Sequence, residues 1–353
     1  MESALSDLID RVRAAAAHGQ RLQIRGGGSK AFVAQPAPQG ELLGTTAWTG
    51  VTSYEPSELV VTARAGTPLA ELEALLAEQR QCLPFEPPHF GPGATVGGMV
   101  AAGLSGPARA STGAVRDFVL GAKMVNGRGE LLRFGGQVMK NVAGYDVSRL
   151  IAGSMGTLGV IVEATLKVLP MPVAEQTLRF AMDEGEALTK LNQWGGQPLP
   201  ISASFWHDGQ LWLRLSGARA AVEAAAHRLG PNATVDAQKT WISIREQTHP
   251  AFAGEPLWRL SLPSTVPALG VDGLRAIEWG GAQRWYADEP AAIREVAARL
   301  GGHAVLYRAP ESQRCLDGAF APLSPALLAL PRRLKKAFDP RGILNPGRLY
   351  AEF

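Results

Sequence analysis

The sequence predicts an α+β protein, and three observations along the chain support this class. Strand-like and helix-like patterns follow one another in mixed order, without the regular alternation of a parallel-sheet protein. Glycine is concentrated in the first half of the 353 residues, whereas seven of the eight tryptophans lie in the second half. This change of composition near Pro170 and Pro172 divides the chain into a glycine-rich first part and a separate second module.

Composition argues against several classes of function. Hydrophobic residues make up 46% of the chain and charged residues 19%, as in globular rather than disordered proteins. The formal net charge is only +3 and the basic residues are scattered, which argues against an extended nucleic-acid surface. Cys82 and Cys315 lie far apart, and the six histidines show no ligand spacing, so we expect neither a disulfide framework nor a metal site.

The N-terminal sequence bears on the cellular location of the protein. It reads MESALSDLIDRVRAAAAHG, with acidic residues where a signal peptide has a basic start. No run of about 18 apolar residues occurs in the sequence. From these features we expect a cytoplasmic protein.

The first part predicts a helix, a strand and a series of turns. Apolar residues at helical spacing predict a helix that Gly19 ends, and residues 21–25 predict the next strand. An apolar stripe over residues 96–104 predicts a buried helix within a glycine-rich segment. The sequence VLGAKMVNGRGELLRF predicts a hairpin with a two-residue turn at Asn126-Gly127.

Residues 173–309 predict a module of their own. Strands and helices alternate there in mixed order, with strands expected near 175–182, 201–207, 210–216, 240–245, 257–262, 274–279, 282–287 and 303–308. This order suits an α+β sheet with helices on one face. We therefore expect three regions, namely 1–172, 173–309 and a C-terminal segment, 310–353, that begins with a basic amphipathic helix.

The segment RLQIRGGGSK raises the question of why three glycines follow a strand. It has neither the order of a Walker A motif nor that of the GxGxxG fingerprint. What remains is a run of backbone N–H groups that can converge on an anion, with glycines that allow a phosphate to approach closely. Taken alone, the segment favours a surface turn.

Two later segments are ambiguous in the same way. In PFEPPHFGPGATVGGMVAAGLSG, Gly97 and Gly98 either start a helix whose free N–H groups bind an anion or belong to a buried small-residue helix. In KNVAGYDVSRLIAGSMGTLGVIVEA, glycines 153, 156 and 159 predict a tight turn into a strand that touches a ligand.

Four segments, taken in order, resemble one flavoprotein family. They are IRGGGSK, the stretch from PGATVGG to NGRGELL, KNVAGYDVSRLIAGSMGTLGVI and the terminal FDPRGILNPGRLY. They are similar to FAD-binding proteins of the vanillyl-alcohol oxidase or PCMH type, and within that family to the FAD-binding E subunits of bacterial glycolate oxidases. The resemblance covers nearly the whole chain. It implies a PCMH-type FAD-binding domain of two α+β subdomains with a ferredoxin-like α+β cap.

The resemblance also implies which residues bind FAD. Residues 25–30 would hold the pyrophosphate, 92–98 would lie along the pyrophosphate and flavin, and 111–113 would approach the flavin ring. Residues 153–161 would hold the adenosine half, and the C-terminal segment would return toward the flavin. By name these residues are Arg25, Gly26, Gly27, Gly28, Ser29, Lys30, Pro92, Gly93, Ala94, Thr95, Val96, Gly97, Gly98, Ser111, Thr112, Gly113, Gly153, Gly156, Thr157, Gly159, Val160, Ile161 and Asn345.

Two departures from the family bear on the chemistry. Members with a covalent flavin often carry histidine in or near the first glycine loop, where this chain has Ser29, so we expect non-covalent FAD. Members that oxidise D-2-hydroxy acids carry a metal and base segment in the cap that this chain lacks. Oxidation of a hydroxyl requires a base. The residues that stand out are His89, near the second glycine segment, His207 in the cap, and Arg259, a candidate for a substrate carboxylate or for the flavin ring. Such residues are more often structural.

The resemblance implies an FAD-dependent oxidoreductase that works as a subunit of a glycolate oxidase complex. Its partners would be a catalytic flavoprotein subunit and an iron–sulfur subunit, and the complex would convert glycolate, a small 2-hydroxy acid, to glyoxylate. The location would be cytoplasmic, or peripheral on the inner membrane through the complex. A stand-alone D-2-hydroxy-acid dehydrogenase of D-lactate type is the alternative. A fold that has lost its flavin is a third hypothesis, which the intact glycine loops disfavour.

Overall fold

Two large β-sheets organise the protein in a computed structural model, which describes residues 2–36, 39–136, 146–230, 233–234, 237–287 and 292–352. In chain order, the elements of the first part are α1 (Glu2–His18), β1 (Leu22–Arg25), β2 (Glu41–Gly44), β3 (Val51–Glu55), β4 (Val60–Arg64), α2 (Leu69–Glu78), β5 (Gln81–Cys82), α3 (Val96–Ala102), α4 (Arg109–Thr112), α5 (Val115–Phe118), β6 (Val119–Val125), β7 (Leu131–Gly135), α6 (Val147–Leu150), β8 (Val160–Lys167) and β9 (Leu169–Pro170).

The second part continues with a second set of strands and helices. They are β10 (Ala174–Ala181), α7 (Glu184–Gly195), β11 (Ile201–His207), β12 (Gln210–Gly217), α8 (Arg219–Leu229), β13 (Ala233–Thr234), α9 (Gln238–Arg245), β14 (Leu257–Ser261), β15 (Leu274–Glu278), β16 (Gln283–Ala287), α10 (Ile293–Arg299), β17 (His303–Arg308), α11 (Glu311–Asp317) and α12 (Pro325–Phe338). None of the helices in the described ranges has both the length and the apolar composition needed to cross a membrane.

The first part contains two small packed units. Strands β1 and β2 pair in parallel and share a core with α1, to which Ile343 and Leu344 of the C-terminal segment contribute. The larger unit is an antiparallel sheet in the order β3-β4-β8-β6-β7, with α2 and α3 packed over it. Strand β8 lies at the centre of this sheet. The α+β class predicted from the sequence is confirmed.

The second part is built on one eight-stranded antiparallel sheet. Its order is β13-β10-β12-β11-β15-β16-β14-β17, so strands from the two halves of the segment meet at β11 and β15. Helices α7, α8 and α10 cover one face with apolar side chains. The other face packs against α9 and against Val33, Ala102 and Leu104 of the first part. One hydrophobic core therefore joins the sheet to the first part.

Two local predictions were wrong in informative ways. Residues 240–245 form most of helix α9 rather than a strand, because Trp241 and Ile244 are spaced to share one buried helical face. The hairpin β6–β7 forms, but its loop spans residues 126–130 instead of a two-residue turn, since Val125 pairs with Leu131. Gly127 has a tertiary reason to be glycine: a Cβ there would lie 2.3 Å from an Asp339 carboxylate oxygen.

The C-terminal segment is fastened to the first part by a buried ion pair. Lys335 Nζ donates to Asp339 Oδ2 at 2.7 Å and to the carbonyls of Thr157 and Leu344 at 2.8 and 2.6 Å. The Asp339 carboxylate also accepts from the backbone N–H groups of Ile343 and Leu344. Burial lowers the pKa of Lys335, and the neighbouring Asp339 opposes that shift. This clasp brings the chain back beside β1.

Replacing Lys335 with methionine is expected to destabilise the protein by about 3–5 kcal/mol, because Asp339 then stays buried without its cation. Chemical denaturation followed by circular dichroism measures the loss in the first unfolding transition. Arg13→Met is the control, since it removes one partner of an exposed pair, Arg13–Asp10, with an expected effect below about 1 kcal/mol. Equal losses of unfolding free energy in the two variants would show that the Lys335–Asp339 pair does not stabilise the fold.

Candidate cofactor site

The first glycine loop follows β1 and presents free backbone donors. Gly28 has φ +74°, a left-handed conformation that favours glycine. Within the described ranges, the N–H groups of Gly27, Gly28 and Ser29 have no acceptor, whereas the N–H of Ala31 bonds to the carbonyl of Gly28. Consecutive unbonded N–H groups around a left-handed residue form a nest that suits an anion.

The first glycine loop lies in direct contact with the second glycine segment. A Cβ on Gly27 would lie 1.4 Å from the carbonyl oxygen of Gly93, and one on Gly26 would lie 2.6 Å from Thr95 Oγ1. A side chain at either position would push the two segments apart. The glycines are therefore required by backbone packing as well as by access to an anion.

Of the two alternatives that the sequence left open for Gly97 and Gly98, the structure agrees with the buried small-residue helix, because helix α3 does not offer free N–H groups at its start. The N–H of Val96 bonds to the carbonyl of Thr67, that of Gly97 to Ala65, and that of Gly98 to Thr95 Oγ1, at 3.0, 2.8 and 3.2 Å. Gly97 is instead required by packing, because a Cβ there would lie 2.6 Å from the Cβ of Ala65. The helix forms a wall of the site, and the donors come from the first loop.

The third wall is the turn before β8, held in place by Asn345. Gly156 has φ +74°, and a Cβ there would lie 2.7 Å from Asn345 Nδ2. That amide nitrogen donates to the carbonyl of Met155 at 2.6 Å, while Asn345 Oδ1 accepts from the N–H of Ile24 at 2.7 Å. Both ends of the amide are thus engaged. Asn345 ties β1 to the turn and sets the width of the site between them.

These walls enclose a cavity of about 230 Å³, and the charged residues that line it within the described part of the chain are cations. They are Arg25, Lys30 and Arg348, and no carboxylate lines the cavity among the described residues. Lys30 is buried, with its Nζ 3.3 Å from Ser29 Oγ and 3.2 Å from the carbonyl of His89. Burial lowers the pKa of Lys30 to about 8, against the opposing charge of Glu246. An anion in the cavity would restore a strong preference for the charged ammonium.

Just over half of the predicted FAD residues line this cavity. The structure brings together Arg25, Gly26, Gly27, Gly28, Ser29, Lys30, Thr95, Gly97, Gly98, Gly156, Gly159, Ile161 and Asn345. The cavity lining does not include Pro92, Gly93, Ala94, Val96, Ser111, Thr112, Gly113, Gly153, Thr157 or Val160. Of these, Ser111 and Thr112 line a separate cavity, where Ser111 Oγ lies 2.8 Å from the carbonyl of Ser202 in the second part.

Sequence reasoning missed several lining residues, of which Arg348 is the most informative. The others are Gln23, Ile24, Ala31, Thr45, Ala101, Ala102 and Met155. Arg348 donates to the carbonyls of Ala31 and Val33 at 2.7 Å and so holds the chain just after the first glycine loop. Burial, and secondarily Arg314, lowers its pKa to about 10. The sequence signal that could have identified Arg348 as a site residue is its position in NPGRLY, three residues after Asn345.

The two weak catalytic candidates lie in different surroundings. His89 Nε2 lies 2.9 Å from a carboxylate oxygen of Glu73, and its backbone carbonyl supports Lys30, which are structural roles. Arg259 lies on β14, facing a small separate cavity near the first part. Residues 140–145, which begin the third segment of the resemblance, lie outside the described residues.

The described residues fit the FAD that the resemblance implies. A pyrophosphate is a compact anion that needs converging donors, nearby cations and close backbone approach. The free N–H groups of residues 27–29, the three cations and the Gly27–Gly93 contact provide these features in one cavity.

Comparison with known proteins agrees with this geometry. Residues 3–135 match a family model described as an FAD binding domain, and residues 321–349 match the C-terminal domain of FAD linked oxidases. The chain is 47% identical over 348 residues to the glycolate oxidase subunit GlcE of Escherichia coli (strain K12), covering 98% of this chain and 97% of that protein.

More distant relatives share the fold. The chain is 26% identical to the D-lactate dehydrogenase of Archaeoglobus fulgidus, over 92% of this chain and 85% of that protein. Among solved structures, an alkyldihydroxyacetonephosphate synthase superposes with a TM-score of 0.65 at 17% identity, covering 97% of this chain and 75% of that one. That likeness supports the fold alone.

Gly27→Ala is expected to weaken FAD binding at least about tenfold, which corresponds to only about 1.4 kcal/mol. The reason is that the new methyl group overlaps the Gly93 carbonyl and separates the two segments. Flavin absorbance after gel filtration and a titration with FAD measure the effect. Gly44→Ala is the matched control, since a Cβ there meets nothing within 4 Å. A Gly27→Ala protein that melts like wild type and retains its FAD would refute this description of the loop.

FAD affinity is expected to fall above pH 8, by up to about tenfold per pH unit. Because the pKa of Lys30 is lowered to about 8, its ammonium group loses a proton above this pH when the cavity is empty. Binding of an anion then requires Lys30 to take up a proton again. Titrations between pH 7 and pH 10, as approximate limits, measure the slope. Lys30→Arg should remove the slope while keeping the affinity, and the exposed Lys190→Met should change neither. A wild-type affinity that stays constant over this range would exclude Lys30 as an anion contact.

Proposed function

This chain belongs to the family of the glycolate oxidase subunit GlcE, and from that premise we propose that it is the FAD-binding subunit of a glycolate oxidase. It is an FAD-dependent oxidoreductase that works within a multi-subunit complex. The observation that carries the proposal is the cation-lined cavity between the two contacting glycine segments, in a chain that resembles GlcE from end to end.

In the proposed site, each group of residues has a physical task. The N–H groups of residues 27–29 hold the pyrophosphate, and Arg25, Lys30 and Arg348 balance its charge. The stretch 92–98 supports the first loop through Gly93, and residues 153–161 form the wall against which the adenosine half lies. Asn345 fixes the distance between the walls. FAD, when bound, supplies the two-electron acceptor.

We propose that FAD is bound without a covalent link. Ser29 lies on the first loop at the position where covalent members of the family often carry histidine. A serine hydroxyl cannot replace the imidazole that forms such a bond, and Ser29 Oγ is 3.3 Å from Lys30 Nζ. The cofactor is then held by hydrogen bonds and charge alone, so denaturation in acid releases it.

The partners and domain roles are part of the same proposal. The complex would oxidise glycolate to glyoxylate, with a catalytic flavoprotein subunit and an iron–sulfur subunit beside this chain. Residues 1–172 would bind the cofactor, 173–309 would cap the flavin and 310–353 would return to the first region. In support, the eight-stranded sheet packs with one face against Ala102 and Leu104, next to the cofactor cavity.

A stand-alone D-2-hydroxy-acid dehydrogenase is the second candidate. The similarity to the D-lactate dehydrogenase of Archaeoglobus fulgidus over 92% of this chain favours it. In that case the chain would reduce its own flavin with D-lactate in the absence of any partner. The two candidates share the cofactor site and differ in what else is needed for activity.

Purification of the affinity-tagged chain from its natural host tests the proposal. The expected product shows the two-band spectrum of oxidised flavin, releases FAD in acid, and carries along an iron–sulfur protein and a second flavoprotein. Glycolate should bleach the flavin of the complex. A colourless chain that does not bind added FAD would rule out both candidate functions. A yellow chain that is reduced by D-lactate without partners would favour the second over the first.

A further inference from the structure

Four neighbouring strands of the eight-stranded sheet place polar residues on the face that meets the first part. Side chains on a strand alternate between faces, so Arg259 shares a face with Leu257, Glu278 with Ala276, and Gln283 with Trp285. Those apolar residues belong to the core shared with the first part. The strand register sets Glu278 opposite Gln283 and Arg259 opposite Trp285. The polar residues therefore form a cluster, which we call the polar chamber: Arg259, Glu278, Gln283 and Tyr307.

Two buried polar atoms of the chamber have no partner. In the described part of the chain, neither Arg259 Nε nor Gln283 Oε1 makes a hydrogen bond, although both atoms are shielded from solvent. Gln283 is only 3% exposed. An unsatisfied buried donor or acceptor costs about 1–3 kcal/mol. A donor and an acceptor left open in the same chamber fit a ligand that offers both an anionic oxygen and a hydroxyl.

A second buried arginine of the same sheet shows the contrast. Arg284 lies on the opposite face of β16 and is fully buried. Its guanidinium donates to the carbonyls of Gly281, Pro267 and Val266, as a structural arginine is expected to do. Arg259 is stacked over the ring of Tyr307 at 5.1 Å from its centroid, without such a set of carbonyl partners for Nε.

Glu278 provides the chamber with a proton acceptor. Its Oε2 accepts from Trp285 Nε1 at 2.6 Å and from Gln283 Nε2 at 2.8 Å, which fixes the carboxyl group and orients the Gln283 amide. Burial raises the pKa of Glu278 to about 7, while the two hydrogen bonds and Arg259 oppose the shift. A carboxylate with a pKa near neutrality is well matched to general base catalysis.

The chamber adjoins the cofactor cavity along one segment of chain. Ala101 and Ala102 of α3 line the cofactor cavity, and Leu104, Ser105, Gly106 and Pro107 line the chamber. The enclosed volume is about 20 Å³, enough for about one water molecule. A 2-hydroxy acid, with at least five non-hydrogen atoms, requires the chamber to widen on binding, and a longer carbon chain would in addition overlap Leu104 and Trp285, which line it. The smallest 2-hydroxy acid therefore fits with the least displacement.

We propose that the polar chamber is the site where this chain binds a two-carbon 2-hydroxy acid, with Arg259 on its carboxylate and Gln283 and Glu278 on its hydroxyl. This inference rests on the proposed function and assigns a substrate contact to this chain in addition to that of its catalytic flavoprotein partner. Glu278 is the catalytic base that the sequence lacked in any recognisable motif. Oxidation of this ligand would take a hydride from the carbon, for which bound FAD would supply the acceptor, and a proton from the hydroxyl, which Glu278 would accept, leaving a carbonyl.

Calorimetric titration of the FAD-loaded chain with glycolate tests the binding step. Arg259→Met and Gln283→Leu should each weaken binding at least about tenfold, since each leaves a charged or polar group of the ligand unpaired. Arg259→Lys should restore part of the affinity. Arg275→Met is the matched control, because Arg275 lies exposed on β15 and should leave binding unchanged. D-lactate and longer 2-hydroxy acids should bind more weakly than glycolate.

Stopped-flow reduction of the flavin tests the role of Glu278. Glu278→Gln should keep glycolate binding but slow reduction by about 100-fold or more. The wild-type rate should rise as the pH increases through about 7, because deprotonation of Glu278 creates the base. Among the described residues, Arg245, Arg259 and Tyr307 also line the chamber, and burial raises the pKa of Tyr307 further above this range. A Glu278→Gln variant whose flavin is reduced at the wild-type rate would show that Glu278 is not the catalytic base.

The outcomes separate this inference from the proposed function. A chain that retains FAD and its partners but binds no glycolate overturns the inference and leaves the proposed function intact. Equal affinity of wild type and the Arg259 and Gln283 variants also overturns it, and then the chamber holds structural water only. Loss of FAD in the wild-type chain would instead contradict the proposed function. FAD absorbance, measured for every variant, distinguishes these cases.

Discussion

The close approach of two backbone segments at Gly27 and Gly93 is the constraint on which the candidate cofactor site depends. A Cβ at residue 27 would lie 1.4 Å from the Gly93 carbonyl oxygen, so the two segments meet only without a side chain there. Residues 27–29 line the cavity, and their N–H groups have no acceptor among the described residues. The same packing logic applies at Gly97, where a glycine lets α3 lie against Ala65. The anion site is thus a result of backbone packing between distant segments.

The C-terminal segment completes what the first part begins. The Lys335–Asp339 clasp fixes the chain that carries Asn345 and Arg348, and these two residues reach β1 and the end of the first glycine loop. Across the other boundary, Arg214 pairs with Glu86 at 2.8 Å and lies over the ring of Trp241, which links the eight-stranded sheet to the first part. Lys335, Asp339 and Arg214 are shielded from water and therefore depend on well-formed partners, whereas Glu86 is partly exposed.

The buried charges fall into two groups, and the distinction guides the functional interpretation. Lys335, Asp339 and Arg284 are surrounded by hydrogen-bond partners from the chain itself. Arg259 Nε and Gln283 Oε1 are buried without such partners, beside a carboxyl group whose pKa is raised to about 7. Groups of the first kind stabilise the fold. Buried polar atoms without a partner lower the stability of the ligand-free protein, and a polar ligand that bonds to them would restore it.

The sequence by itself determined the α+β class, helix α1, strand β1, the hairpin β6–β7 and the glycine segments, because these depend on local spacing and on residues without side chains. Its resemblance to a flavoprotein family also pointed to Arg25–Lys30 and Asn345. It could not show that the N–H groups of α3 are already bonded, that residues 240–245 form a helix, or that Arg348 lines the cofactor cavity. Each of these depends on partners far away in the chain. The polar chamber is the clearest case, since Arg259, Glu278 and Gln283 become neighbours only through the pairing of β14, β15 and β16.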